Sequence, residues 1–353
     1  MAQAERELSV QHHNVERVAL GNLSIGIYKP DEFITNEDIE EWNAQTKSGN
    51  LLTAQGIRDK IGIARRFWAG KNETTIDMGE YAARAAGNLE NVDAIFVSTS
   101  YPIGKNVSLE IGNRLGIKIQ PELHLDIHAA CSGFVRGLAY MKEHEKEFQG
   151  KKVLFVATEK YSDTLVDLRK KGGSEIDRSI AQTIFSDGAT AIIFRYGIDI
   201  HVLEYENIKL PEKFNNYLRM PIDRTLMVMP FIEEPIPNSS SLYLEQDGPH
   251  VFQRMLSYVP ALNKRVVEKG IQPSDIKLVI PHQASGPMIN GLEEKMSDFT
   301  LFKDLEDGNF SSASIPKALM RAIREGKIQR GNKILLSAFG AGLFASSAVI
   351  EFG

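Results

Sequence analysis

One cysteine is the first candidate for chemistry in this chain. Cys131 is the only cysteine among 353 residues. Before it, apolar Leu125 and Ile127 alternate with polar residues, which is the period-two pattern of a strand. From Phe134 onward, apolar residues recur at helical spacing. The sequence therefore predicts that Cys131 lies at a strand-to-helix turn, close to the unpaired N–H groups at the start of a helix.

This position allows three interpretations. The helix dipole favours the thiolate, which predicts a nucleophile with an apparent pKa below the value of about 8.5 for a free thiol. A small buried side chain without chemical function is the alternative, because lone cysteines are usually buried. His124 and His128 stand at ligand-like spacing from Cys131, but too few further ligands are nearby, so no metal site is predicted.

Two other polar residues follow predicted elements in the second part of the chain. His282 comes just after a predicted strand at 276–280, and Asn309 lies in a loop of small residues before a helix. Ligands bind at the carboxyl ends of strands in open α/β sheets, so both side chains can converge with Cys131. A thiol nucleophile needs a group that manages its proton, which an imidazole can do. Taken singly, His282 can be structural and Asn309 a turn residue.

Strands and helices alternate around these residues. This alternation predicts an α/β protein with a largely parallel sheet. The predicted strands include 94–100, 152–158, 276–280, 333–339 and 345–352, and the predicted helices include 75–89, 108–115, 250–269 and 317–326.

The length of the chain predicts two halves, because single cores stop growing below this size. We predict a polar tail at 1–17, an N-terminal half at 18–200 with the cysteine, and a C-terminal half at 250–353 with the histidine and asparagine. Between them, 201–249 is rich in proline and methionine, which suits either a lid over a pocket or a plain connector.

Composition and charge restrict the class of protein. The net charge of −5 provides no overall basic field for nucleic acid. No stretch approaches the roughly 18 to 20 apolar residues of a membrane span, and the polar N-terminus lacks the apolar segment of a secretory signal. A single cysteine allows no internal disulfide. We therefore expect a soluble cytoplasmic protein without nucleic-acid or membrane partners.

Four motifs in order resemble those of a known family. They are Ala-Ala-Cys-Ser-Gly-Phe at 129–134, Pro-His-Gln-Ala at 281–284, the glycine–asparagine loop at 308–316 and Phe-Gly-Ala-Gly at 339–342. Through these motifs the chain resembles the β-ketoacyl-acyl-carrier-protein synthase III branch of the thiolase-fold condensing enzymes. The resemblance is collinear from about residue 18 to residue 352. The resemblance implies a thiolase-like α/β fold, with two similar βαβαβαββ halves in a layered α-β-α-β-α sandwich.

The resemblance also implies a reaction in two steps. Cys131 would accept an acyl group from a thioester of coenzyme A or acyl carrier protein, with the N–H groups of Cys131 and Ala341 as the oxyanion hole. His282 and Asn309 would then donate hydrogen bonds to the enolate formed when a malonyl thioester loses carbon dioxide. The product would be a β-ketoacyl thioester for fatty-acid or related polyketide biosynthesis. No metal or redox cofactor is implied, and the expected partners are acyl carrier protein and a second copy of the chain.

Candidate substrate-binding residues follow from the same resemblance. Arg178 matches a family arginine near the nucleotide, and Lys60 stands where another arginine is expected. Gly104 lies in a loop that is shorter than usual and lacks the family's phenylalanine, and His128 replaces a small residue before the nucleophile. Phe310, beside the motif asparagine, is expected to contact substrate. These departures predict a divergent member that accepts a different acyl group.

Three alternatives stay open on the sequence. The same fold can transfer an acyl group to a small nucleophile, or join two acyl thioesters without decarboxylation. A cysteine hydrolase would use the same order of Cys, His and Asn, but the residues usual around such a protease nucleophile are absent. The chain can also be a catalytically silent partner subunit, against which the presence of all three polar groups argues.

Overall fold

The structure is a computed structural model. It describes residues 14–43, 49–100, 106–162, 183–211, 218–219, 227–229, 245–246, 248–341 and 343–353. The described strands are β1 (Val15–Leu20), β2 (Leu23–Tyr28), β3 (Phe33–Thr35), β4 (Arg65–Phe67), β5 (Ala94–Ser98), β6 (His124–His128), β7 (Lys152–Glu159), β8 (Gly188–Arg195), β9 (Ile200–Lys209), β10 (Leu218–Arg219), β11 (Met227–Met229), β12 (Glu245–Gln246), β13 (Ile276–Pro281), β14 (Lys333–Gly340) and β15 (Phe344–Phe352). The described α-helices are α1 (Asn36–Glu41), α2 (Ala54–Ile61), α3 (Thr75–Ala86), α4 (Val107–Arg114), α5 (Gly133–Glu143), α6 (Glu145–Phe148), α7 (Gly248–Val267), α8 (Gly286–Lys295) and α9 (Ser314–Arg324).

Two mixed sheets form the framework. The first sheet has seven strands in the order β1-β2-β8-β7-β5-β6-β11, and the second has four in the order β13-β14-β15-β9. In the described sheets, β5 runs parallel to β6 and β7, and β13 runs parallel to β14, whereas the other pairs are antiparallel. The prediction of a largely parallel sheet is therefore wrong. Strands joined by short turns, such as β1 with β2 and β14 with β15, must run antiparallel.

Helices α5 and α9 lie between the two sheets. Their apolar side chains share one core cluster with the inner faces of both sheets. This cluster includes Phe134 and Leu138 of α5, Leu319 and Ile323 of α9, Phe96 and Phe155 of the first sheet, and Ile334 and Ile350 of the second.

The outer faces of the sheets are covered as well. Helices α3 and α4 pack on the first sheet through a second cluster, and α7 and α8 pack on the second sheet through a third. Strand β14 shows why both faces are apolar: Ile334 and Leu336 point to the central helices, whereas Leu335 points to the outer cluster. Alternate residues of a strand face opposite sides. The result is the predicted α-β-α-β-α sandwich of a thiolase-like fold.

Two predicted boundaries between segments of the chain differ from those in the structure. The predicted connector 201–249 begins within β9, a strand that pairs with β15 from Ile200–Phe352 to Lys209–Phe344 with one shift in register. The sequence analysis did not predict this strand, because it assigned these residues to the proline-rich connector. Most of 212–247 lies outside the described residues. The predicted tail at 1–17 also ends early, because Val15 already pairs with Tyr28 in the first hairpin. In the described ranges, no helix is long and apolar enough to cross a membrane.

Close contact between β2 and α3 provides a test of the packing. A Cβ atom on Gly26 would lie 2.3 Å from the backbone nitrogen of Ala86 and 2.4 Å from the carbonyl oxygen of Ala82. Because both neighbours are backbone atoms, Gly26→Ala should lower the free energy of unfolding by about 3 kcal/mol or more, measured by urea denaturation. Gly70→Ala is the control, because Gly70 has nothing within 4 Å of an added Cβ. Equal stability of the two variants would contradict this packing.

Candidate active site

The predicted strand-to-helix turn holds Cys131. Strand β6 ends at His128, a 3₁₀ turn covers Ala130–Ser132, and α5 begins at Gly133. Ala130 has a φ of 44°, a left-handed conformation that favours glycine. A Cβ on Gly133 would lie 1.8 Å from the Ser98 hydroxyl, so only glycine lets the start of α5 approach β5 this closely. Cys131 itself is 6% exposed, which makes it a buried thiol.

His282 follows the end of β13 in a loop that is fixed by hydrogen bonds. The backbone N–H of His282 donates to the Ser337 carbonyl at 2.7 Å. The side-chain amide of Gln283 donates to the carbonyls of Pro281 at 2.6 Å and Phe302 at 3.1 Å, and its oxygen accepts from Asp304 N–H at 2.8 Å. Gln283 therefore positions the histidine loop. The sequence reasoning missed this role, although the residue lies within the motif around His282.

Asn309 is held with its amide group in one orientation. Its backbone N–H donates to the Ile184 carbonyl at 2.8 Å. Its side-chain oxygen accepts from the Ser311 N–H at 2.7 Å and the Ser314 hydroxyl at 3.2 Å. Because a backbone N–H can only donate, the acceptor must be Oδ1, so the NH₂ group is the part of the amide that is left for a ligand.

One cavity brings the three predicted residues together. Cys131, His282 and Asn309 all line it. The rest of its wall is mostly apolar and comes largely from helices α7 and α8 and the segment before β8, including Ile184, Phe185, Val251, Met255, Met288 and Leu292. An apolar cavity with a few converging polar groups is the usual form of a small-molecule site. This one suits an aliphatic group whose reactive end reaches the thiol.

The turn after β14 packs directly on the backbone at the nucleophile. A Cβ on Gly340 would lie 3.0 Å from the Ala129 carbonyl oxygen and 3.2 Å from the Cys131 nitrogen. Glycine at this position therefore lets the end of β14 approach the turn, and Ala341 follows it as a buried residue. Gly342 lies outside the described residues, and Leu343 has a left-handed φ of 46°.

Burial controls the protonation of the site. It raises the pKa of Cys131 to about 12, outweighing the opposite effect of the hydrogen bond that the Ser311 hydroxyl donates to the sulfur at 3.5 Å. Burial lowers the pKa of His282 to about 3, so its imidazole is neutral at physiological pH. The predicted lowering of the thiol pKa is therefore wrong for this structure, because burial, together with the charge of Glu159, outweighs the hydrogen bonds that favour the thiolate.

Three of the predicted substrate-binding residues are described in the structure, and none of the three lines the cavity. Lys60 is exposed on α2, and His128 places its Nδ1 3.1 Å from the Thr99 carbonyl; neither lines the cavity. Phe310 was expected to contact substrate, but it is fully buried and packs with Phe67 in a small core cluster. Contact of Lys60 or His128 with substrate stays a prediction. Two further candidates, Arg178 and Gly104, lie outside the described residues.

A metal would need several ligands in one place. In the described ranges, no group of three His, Cys, Asp or Glu side chains is arranged to hold a metal ion.

The raised thiol pKa predicts slow alkylation of the native protein. At pH 7.5, iodoacetamide should label native Cys131 at least about 100-fold more slowly than the same thiol in urea-unfolded protein, because only the thiolate reacts. The unfolded chain is its own control, since Cys131 is the only thiol. Intact-mass spectrometry over time measures both rates. Equal rates would contradict the raised pKa and restore a thiolate stabilised by the helix start.

Comparison with known proteins places this site in a family. A family model described as 3-oxoacyl-[acyl-carrier-protein] synthase III matches residues 125–207, and the model of its C-terminal part matches residues 266–352. β-Ketoacyl-[acyl-carrier-protein] synthase III 1 of Vibrio vulnificus is 30% identical over 344 residues, which covers 94% of this chain and 98% of the relative.

Solved structures agree with the sequence matches. 3-Oxoacyl-[acyl-carrier-protein] synthase III of Aquifex aeolicus superposes with a TM-score of 0.75 at 28% identity, covering 93% of this chain and 98% of that one. The priming β-ketosynthase of a polyketide biosynthetic pathway superposes with a TM-score of 0.72 at 26% identity, covering 93% and 94%. The chain therefore belongs to the 3-oxoacyl-[acyl-carrier-protein] synthase III family of thiolase-fold acyltransferases.

Proposed function

We propose that this protein loads an acyl group from a thioester onto Cys131 and condenses it with a malonyl thioester to give a β-ketoacyl product. The observation that carries this proposal is the meeting of Cys131, His282 and Asn309 in one apolar cavity. A thiol nucleophile and two neutral hydrogen-bond donors are the groups that such a condensation requires.

Loading begins with attack of Cys131 sulfur on the thioester carbonyl. The carbon–sulfur bond to the donor then breaks with its electron pair on the donor sulfur, the donor leaves as a thiolate that takes a proton from solvent, and the acyl group stays on the enzyme. Developing charge on the carbonyl oxygen needs fixed N–H donors. The close approach of Gly340 to the Cys131 nitrogen supports an oxyanion hole built from the N–H groups of Cys131 and Ala341.

Condensation uses the histidine and the asparagine as donors. The malonyl carboxylate leaves as carbon dioxide, and the electron pair moves into an enolate whose oxygen accepts hydrogen bonds. The fixed NH₂ group of Asn309 and the neutral ring of His282 suit this role. The carbanion then attacks the acyl-Cys131 carbonyl, and the cysteine sulfur leaves as the β-ketoacyl product forms.

The apolar walls of the cavity and the names of the relatives both support acyl thioesters as the substrate class. Met255 and Met288 provide adaptable apolar surface for an aliphatic chain. The names of the relatives specify acyl carrier protein, and one structural neighbour acts in a polyketide pathway. We therefore infer carrier-bound thioesters as substrates in fatty-acid or related polyketide biosynthesis, and a cytoplasmic homodimer that needs no metal or redox cofactor.

Variants of the three site residues should distinguish the loading step from the decarboxylation step. Cys131→Ala should form no acyl-enzyme, as measured by intact-mass spectrometry after exposure to a panel of acyl thioesters. His282→Ala and Asn309→Ala should still be acylated, but their release of carbon dioxide from malonyl thioester should fall by about 10²- to 10³-fold, since each loses one donor to the enolate. His144→Ala, on an exposed residue after α5, is the matched control.

The opposite results would reject the proposal. An acyl adduct on Cys131→Ala would place the nucleophile elsewhere. Unchanged decarboxylation in both His282→Ala and Asn309→Ala would remove their role as donors. Acyl-enzyme formation by the wild type without chain extension would favour acyl transfer or non-decarboxylative condensation.

A further inference from the structure

A chain of hydroxyl groups runs from the nucleophile into the protein interior. Ser311 Oγ lies 3.5 Å from Cys131 Sγ and 3.0 Å from the Tyr161 hydroxyl. The Tyr161 hydroxyl lies 3.0 Å from Ser100 Oγ, and Ser100 Oγ lies 3.1 Å from Oε1 of Glu159. A shorter path is also present, because Ser100 Oγ and Ser311 Oγ are 3.5 Å apart. All five residues are buried, so the chain is shielded from solvent.

Glu159 ends this chain as a carboxylate surrounded by donors. It receives the Ser100 N–H at 2.9 Å and the Ser312 hydroxyl at 2.5 Å, besides the Ser100 hydroxyl. It is the last residue of β7 and is 1% exposed. A buried carboxylate is costly unless it is paired or can accept a proton. In the described part of the chain no salt bridge to Glu159 is recorded.

We propose that Glu159 receives the thiol proton of Cys131 through Ser311, Tyr161 and Ser100 when the sulfur attacks an acyl thioester. This inference rests on the proposed loading of Cys131. Glu159 and the three hydroxyl residues are positioning residues for the thiolate, because they do not touch the acyl group.

The transfer balances without any further reactant. In the structure Ser311 donates to the cysteine sulfur, Tyr161 donates to Ser100, and Ser100 donates to Glu159. For the transfer, the Ser311 hydroxyl turns to donate to Tyr161, so that the thiol can donate to Ser311. Each hydroxyl then accepts one proton and passes on its own, so the S–H bond breaks and an O–H bond forms on Glu159. Afterwards every hydrogen bond points the other way, and Ser311 donates to the sulfur anion. Each hydroxyl can act in both directions.

Glu159 is a better proton acceptor than the histidine of the same site. Burial raises the pKa of Glu159 to about 7, against the lowering effect of its hydrogen bonds. Burial lowers the pKa of His282 to about 3, and no hydrogen bond between His282 and Cys131 is recorded among the described residues. His282 can therefore stay a neutral donor for the condensation step while Glu159 holds the proton of the loading step.

The charge of this carboxylate acts on two neighbouring groups. It raises the pKa of Cys131, at the turn before α5, and of Tyr161, just after β7. Ser100 after β5 and Ser312 before α9 contribute only hydroxyl and N–H groups. On β8 the residue paired with Glu159 is Gly188, which has no side chain.

Acylation kinetics test the path. Tyr161→Phe leaves the direct contact from Ser311 to Ser100, so the rate of acyl-enzyme formation should fall by about 10-fold. Glu159→Gln and Ser311→Ala interrupt both paths, so each should lower the same rate by about 100-fold. Decarboxylation by enzyme that has been acylated to completion should keep its wild-type rate, because no thiol proton moves in that step. Tyr196→Phe is the matched control, since its hydroxyl is buried and has no hydrogen-bond partner in the described structure.

Alkylation by iodoacetamide tests the acceptor without any thioester. In the wild type, the labelling rate between pH 5.5 and 10 should rise, flatten above about pH 7 as Glu159 becomes able to take the proton, and rise again towards the pKa of the thiol. In Glu159→Gln the inflection should disappear, and the logarithm of the labelling rate should rise with pH along a single line of unit slope. A merely structural role would leave the inflection in place.

Each result decides the question. Wild-type acylation rates in Glu159→Gln and Ser311→Ala, or an inflection near pH 7 that survives in Glu159→Gln, would overturn the relay. If no thioester acylates the wild type, the proposed function fails, whereas the alkylation profile still decides whether Glu159 accepts the proton. Loss of decarboxylation by the acylated variants to the same extent as acylation would show general damage to the site and reject the specific path.

Discussion

The loss of water around the reacting groups is the constraint on which the site depends. Cys131 and His282 are both buried, and burial alone disfavours a charge on either of them. A neutral imidazole is what hydrogen bonding to an enolate requires, so for His282 the cost of burial serves the proposed chemistry. For the thiol the same burial is an obstacle. The hydroxyl chain to Glu159 is the feature of the structure that can offset it.

The five-layer fold explains why these groups meet. Helices α5 and α9 both contribute to the core between the two sheets, and each begins with a 3₁₀ turn. Each turn starts with a residue in the left-handed conformation, Ala130 at 44° and Ser311 at 49°. Such conformations cost roughly 1–2 kcal/mol each for residues other than glycine. The two halves thus place equivalent turns against each other, one with the nucleophile and the other with its hydrogen-bond partner.

Local patterns in the sequence predicted the parts of the site that depend on neighbours along the chain. The alternation before Cys131 and the helical spacing after it predicted the turn correctly, and His282 and Asn309 were identified by their places after a strand and before a helix. The resemblance added the layered fold. The raised thiol pKa was not predictable from local patterns, because the thiol is buried by layers of the fold that are far apart in the sequence. Strand β9 was missed because its residues were assigned to the proline-rich connector, and its pairing partner, β15, is distant in the sequence.

The stoichiometry of carbon dioxide tests the central claim most directly. Wild-type protein would be acylated, freed of excess donor and mixed with malonyl thioester labelled in its free carboxyl group, and released label and extended product would be counted together. Decarboxylative condensation at Cys131 predicts one carbon dioxide for each β-ketoacyl product, with loss of the acyl group from the enzyme. Transfer of the acyl group to an acceptor without release of labelled carbon dioxide would contradict it.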